Sequence, residues 1–201
     1  WGTTFAKILA DGGNDVALWA RRPELAREIS QSKRNSDYLP GINLPRGLWA
    51  SASLPEVLEG AEQVYLSVPS QSLRENLRIV RELIPDDALI VSLMKGVEKG
   101  TGSRMSEVIR QELKLDGERV AVASGPNLAL EIAKEQPTAA VVSSENLETA
   151  TTVAITATND GPDPVALARQ RCAAALESGH AKLLEKHAAW WRAFWNQSSV
   201  S

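Results

Sequence analysis

Four short stretches of this sequence carry side chains able to do chemistry, and each directly follows an apolar run. Arg21-Arg22 follow "VALWA", Pro69-Ser70-Gln71 follow "VYLSV", Lys95-Gly96 follow "LIVSLM", and Ser124-Gly125-Pro126-Asn127 follow "RVAVA". Two adjacent guanidinium groups suit a phosphate, which they bind through charge-assisted, bidentate hydrogen bonds. At the end of the second strand of a dinucleotide fold an acidic residue usually takes the ribose hydroxyls. Two arginines there, in place of Asp or Glu, favour a 2′-phosphate and so NADP over NAD; the alternative is a pair of solvated arginines at a helix start. Lys95 puts an ammonium straight after a buried strand, and Gly96 lets another backbone approach. It is either a cleft residue or a surface cation. "SGPN" precedes a helical run whose first N–H groups can hold an anion or a ligand oxygen, or else it is an ordinary turn.

These stretches need elements to position them, and the hydrophobic pattern supplies them. Phe5, Ile8 and Leu9 share one helical face, Gly12-Gly13 stop that helix, and Val16 to Trp19 is a run of strand length. Pro23 to Ser30 is the next helix, with Leu25 and Ile29 four apart, and "SKRNSDYLPGINLPRG" has the chemistry of a long loop. "GLWASA", "QVYLSVPS", "ALIVSL", "RVAVAS" and "AAVVSS" read as short strands. Between them, "LPEVLEG", "QSLRENLRIVREL", "RMSEVIRQEL" and "NLALEIAKE" read as helices, with Leu73, Leu77 and Val80 on one stripe. Such alternation is the pattern of parallel βαβ units. The expected fold is α/β, a doubly wound parallel Rossmann-like sheet, in which ligands bind outside the carboxyl ends of the strands; the alternative is an α+β domain with antiparallel pairing. The four stretches then form the rim of one cleft.

Composition narrows the partners. A net charge of −3 gives no global reason to expect nucleic acid, and no run approaches the roughly 20 apolar residues that span a bilayer. The single cysteine, Cys172, excludes an intrachain disulfide framework and fits a reducing compartment.

Residues 1 to about 150 resemble the N-terminal, cofactor-binding domain of bacterial NAD(P)-dependent glycerol-3-phosphate dehydrogenases. The resemblance is carried by "WGTTFAKILADGG", "LWARRPE", "RNSDYLPGINLP", "VPSQSLR", "SLMKGVEKGT" and "SGPNLALEIA", in the family's order and spacing. It implies a cytoplasmic enzyme that interconverts dihydroxyacetone phosphate and sn-glycerol 3-phosphate with NADP or NAD, feeding phospholipid synthesis. It also implies cofactor contacts at Trp1, Gly2, Arg21, Arg22, Tyr38, Lys95 and Ala129, and substrate contacts at Lys95, Gly125 and Asn127. Asn127 stands where many members have Ser or Thr. The family's general acid/base lysine lies in a later helical domain, so no catalytic residue is assigned here, and no metal. By the same resemblance Gly2 is the last glycine of the dinucleotide fingerprint. The first strand and two earlier glycines then stand outside this chain, and the adjoining strands are expected to have unpaired edges.

From Thr151 the resemblance stops. Residues 151–201 bring β-branched alternation, a Gly/Pro turn and an amphipathic helix with Leu183, Leu184, His187, Trp191, Phe194 and Trp195 at helical spacing. His180 and His187 are seven apart, with no companion ligands for a metal. The "HAAWWRAFW" cluster is weakly similar to a linker helix of fucosidase-type glycoside hydrolases. The tail is read as an unrelated reading frame joined near residue 150, with a diverged domain as the rival. Three functions follow: the dehydrogenase, with this chain expected to be inactive alone; a non-catalytic nucleotide-binding remnant; and a fusion with a piece of a carbohydrate-active hydrolase. Homo-oligomer formation stays open.

Overall fold

The computed structural model describes residues 1–125, 127–136, 140–153 and 185. The chain divides into two units, Trp1–Asn159 and Asp160–Ser201. Of the second only Glu185 is described, and it is helical. The tail's Gly/Pro turn, both histidines, the cysteine and the Trp-rich helix lie outside the described residues.

The first unit opens with α1 (Gly2–Asp11), β1 (Val16–Trp19) and α2 (Pro23–Arg27), then β2 (Leu48–Ser51) and α3 (Leu54–Leu58). β3 (Gln63–Leu66), α4 (Leu73–Val80), β4 (Leu89–Ser92), α5 (Met105–Leu113) and β5 (Val120–Ser124) follow. α6 (Ala129–Ala133), β6 (Val141–Ser144) and α7 (Leu147–Val153) complete it. β1 and β2 pair in parallel, and β3, β4 and β5 form a second parallel run. The α/β, Rossmann-like reading of the sequence therefore holds. Two details differ from it. The helix from Pro23 passes at Glu28–Ser32 into a π turn that ends on left-handed Lys33. β6 joins β5 antiparallel.

Among the described residues the strands lie in two ladders, β1-β2 and β3-β4-β5-β6, with no pairing between them. β1 and β3 each have a strand neighbour on one side only, as do β2 and β6. α1 joins the two parts by packing. Ala6 and Ala10 belong to the core beneath β1 and β2, with Val16, Ile29, Leu39, Leu44 and Leu48. Phe5 belongs to the core on one face of the second sheet, with Val91, Leu93, Ala121 and Ala123. Leu9 packs against both. The opposite face of that sheet presents Val64, Ile90 and Val120 to Leu73 and Leu77 of α4 and Val108 and Ile109 of α5. This is the period-two alternation of a sheet covered on both faces. The change expected at Thr151 falls inside α7, whose last residue, Val153, is buried against Phe5's core.

Candidate functional site

The carboxyl ends of β4 and β5 point their following turns at each other. Lys95, just past β4, donates a hydrogen bond from Nζ to the Gly125 carbonyl, just past β5, at 2.7 Å. Beside this bridge a cleft of about 220 Å³ is lined by Trp1, Leu93, Lys95, Ala123, Asn127 and Ala129. Four residues named from the sequence, Trp1, Lys95, Asn127 and Ala129, thus meet at one concavity, and Gly125 adjoins it. Its volume is below the roughly 300–1,000 Å³ of complete ligand pockets, so these residues make one wall of a site. The floor is apolar, and Lys95 brings a cation to its rim. Trp1 is fixed from behind by an edge contact with Phe5, the ring centroids 5.8 Å apart. Gly2 sits where α1 meets the sheet: a Cβ there would lie 3.5 Å from Ser67 Cβ, an ordinary contact. Pro126 lies outside the described residues, and α6 is only five residues long, so the helix dipole expected behind "SGPN" is short.

Arg21, Arg22 and Tyr38 form a second group, past the end of β1. The Arg21 guanidinium lies 5.6 Å from the Trp19 ring centroid, and that of Arg22 lies 6.0 Å from the Tyr38 centroid. Arg22 also forms an ion pair with Asp37. Tyr38 is 71% exposed, yet its backbone is fixed: the Tyr38 N–H donates to Asn35 Oδ1 at 3.2 Å. Asn35 is 2% exposed and donates from Nδ2 to Thr3 Oγ1 in the first turn of α1 at 2.8 Å. One buried amide therefore ties the loop of Tyr38 to the helix behind Trp1. The exposed guanidinium pair and tyrosine offer cations to a phosphate and an aromatic face for stacking.

Of the residues that hold the Lys95 turn, the sequence singled out Gln71 but not Arg74, Glu98 or Glu112. Gln71 donates from Nε2 to the Val97 carbonyl and accepts from the Lys99 N–H, both at 2.9 Å. Arg74 makes a bidentate pair with Glu98 at 2.7 and 2.8 Å and reaches Glu112 at 2.7 Å. The side chains of Glu98 and Glu112 are only 16% and 13% exposed. "VPSQSLR" contained this signal, but the partners stand 24 and 38 residues away and no periodicity links them.

The hydrogen bonds from Arg74, then that of Thr101, lower the Glu98 carboxyl to about 2. A depressed carboxylate contributes stability above its ordinary value of about 4.3 and loses it as pH falls toward the folded value. The turn is therefore expected to loosen between about pH 4.5 and pH 2. In an NMR titration the Arg74 side-chain N–H should follow that transition, and Arg74→Met should return the Glu98 midpoint toward the ordinary range. A midpoint unchanged in Arg74→Met would show that the pair does not set it.

Residues 1–150 match the family described as the NAD-dependent glycerol-3-phosphate dehydrogenase N-terminus. The glycerol-3-phosphate dehydrogenase [NAD(P)+] of Leifsonia xyli is 67% identical over 159 residues, which is 79% of this chain and 43% of that protein. The enzyme of the same name from Corynebacterium glutamicum is 58% identical over 142 residues, 71% of this chain and 43% of its own. The crystal structure of the Coxiella burnetii glycerol-3-phosphate dehydrogenase superposes with a TM-score of 0.69 at 34% identity, covering 76% of this chain and 46% of that one. The chain thus spans under half the length of these relatives. Over its first 150 residues it belongs to the NAD-dependent glycerol-3-phosphate dehydrogenase N-terminal family.

Proposed function

We propose that this chain provides the cofactor-binding part of an NAD(P)-dependent sn-glycerol-3-phosphate dehydrogenase, which interconverts dihydroxyacetone phosphate and sn-glycerol 3-phosphate. The observation that carries this reading is the Lys95 to Gly125 bridge at the mouth of a cleft that also collects Trp1, Asn127 and Ala129. When bound, NADPH or NADH supplies the hydride. The chain's own residues bind and orient. Lys95 holds the phosphate ester with its ammonium, and the Gly125 carbonyl fixes that ammonium in place. Asn127 offers an amide to the substrate, while Trp1, Leu93 and Ala123 keep water from the reacting face. Arg21, Arg22 and Tyr38 take the adenosine end. No residue of this chain is assigned the proton donor.

The product fits supply of glycerophospholipid synthesis, and the single cysteine fits a cytoplasmic setting. No helix among the described residues is long and apolar enough to cross a membrane.

Titration of the chain with NADPH and NADH tests the cofactor assignment. Replacing Arg21 and Arg22 together by alanine removes charge-assisted contacts of about 1.5–3 kcal/mol, so NADPH affinity should fall at least about tenfold. NADH should lose much less. Equal losses would remove the 2′-phosphate assignment, and binding of neither cofactor by the unaltered chain would remove the reading as a whole.

A further inference from the structure

The sequence places no carboxylate directly after β1, where dinucleotide folds usually present one to the ribose. The fold restores one from elsewhere. Asp37, on the loop fifteen residues further along, forms an ion pair with Arg22. Both side chains are open to solvent, 47% exposed for Arg22 and 51% for Asp37, so a ligand can reach either. Their placement is built by buried structure. Asn35, two residues before Asp37, is anchored to Thr3, and the next residue, Tyr38, donates its N–H back to Asn35. Ser36, between them, donates from its N–H and its hydroxyl to Glu28 Oε1. Asp37 is thus flanked on both sides by fixed residues, and the Arg22 guanidinium lies over the neighbouring Tyr38 ring.

We propose that Asp37 is a specificity-determining residue of the adenosine site, which lets one surface serve both nicotinamide cofactors. The inference rests on the assignment of Arg21 and Arg22 to that end of the cofactor. Toward a ribose with a free 2′-hydroxyl, the Asp37 carboxylate is the acceptor that the end of β1 lacks. Toward a 2′-phosphate, Arg22 is the donor, and its five N–H groups let it keep Asp37 while it takes the phosphate. The carboxylate then stands close to a like charge and weakens the phosphorylated form. Asp37 therefore holds the preference for NADP below what two unopposed arginines would give.

The test uses the full chain with two adenosine probes, adenosine 2′,5′-bisphosphate and adenosine 5′-monophosphate, titrated by calorimetry at fixed ionic strength. Asp37→Ala should tighten the 2′-phosphorylated probe about two- to fivefold, the range of an exposed ion pair, and should weaken the monophosphate. Asp37→Asn keeps an acceptor oxygen without the charge. It should tighten the bisphosphate to the same degree and retain most of the monophosphate affinity. Arg22→Ala is measured in parallel. If it abolishes the preference for the bisphosphate while both Asp37 variants leave the two affinities unchanged, the role of Asp37 is overturned and the arginine assignment stands. If Arg22→Ala and Arg21→Ala leave that preference intact, the assignment fails and the inference fails with it. Binding of neither probe overturns both.

Discussion

Replacing Lys95 by methionine is expected to lower the affinity for sn-glycerol 3-phosphate by about 10- to 150-fold, equivalent to the ~1.5–3 kcal/mol of a hydrogen bond to a charged group. The ammonium is the cation at the rim of a cleft whose other lining is Trp1, Leu93, Ala123, Asn127 and Ala129, and one of its protons is already committed to the Gly125 carbonyl. A Lys ammonium has three donors, so two remain for phosphate oxygens. Methionine keeps the unbranched stem and removes the charge. Lys95→Arg should recover only part of the affinity, because a planar fork on a different stem cannot hold the same carbonyl and the same phosphate together. Calorimetric titration with sn-glycerol 3-phosphate, and with glycerol as the uncharged control, measures the effect. Unchanged phosphate affinity in Lys95→Met would reduce Lys95 to a pin for the turn at Gly125.

A comparably large effect is expected far from the cleft. Ile90 is fully buried at the middle of β4, which is paired on both sides, and its side chain packs against α4 and α5. Truncation to alanine removes three carbons from a site that cannot easily collapse, and should cost about 2–5 kcal/mol of stability. Ile79, on the outer side of α4 and 60% exposed, provides the internal control. Its change to alanine should stay within about 0.5 kcal/mol. Urea unfolding followed by circular dichroism checks both, read as a shift in midpoint at constant slope. Equal midpoint shifts for Ile79→Ala and Ile90→Ala would contradict the assignment of the core.

Local pattern and long-range pairing were not equally visible in the sequence. The face of α1 was legible because Phe5, Ile8 and Leu9 repeat at helical spacing, and β1 because four residues of strand type stand between turn residues. Half of the expected rim followed from the topology: the turns after the parallel strands β4 and β5 meet at the cleft, whereas Arg21-Arg22 and Pro69-Ser70-Gln71 do not line it. Lys95 and Gly125, thirty residues apart, met for that reason. The antiparallel docking of β6 did not show, since four apolar or small residues carry no mark of direction. The π turn at Glu28–Ser32 did not show either, because Leu25 and Ile29 fit a regular helix equally well. Asn35, Asp37 and Arg74 read only as polar loop or helix surface. Each acquires its role from a partner that the fold, and not the local period, brings close.

The division of the strands into two ladders also fixes how the first unit opens. β4 is sealed by neighbours on both sides, whereas β1 and β3 each leave one row of backbone groups without a ladder partner among the described residues. Amide exchange should then be slowest at Ile90 and Val91 and faster along the unpaired rows of β1 and β3, whose side chains are mostly only half-buried. Among the described residues no backbone ladder carries cooperativity from one sheet to the other. Packing carries it instead: the small residues of α1, with Ala133 of α6, sit in the first sheet's core, while the phenylalanine of α1 sits in the second's. Fraying of α1 therefore loosens two cores at once.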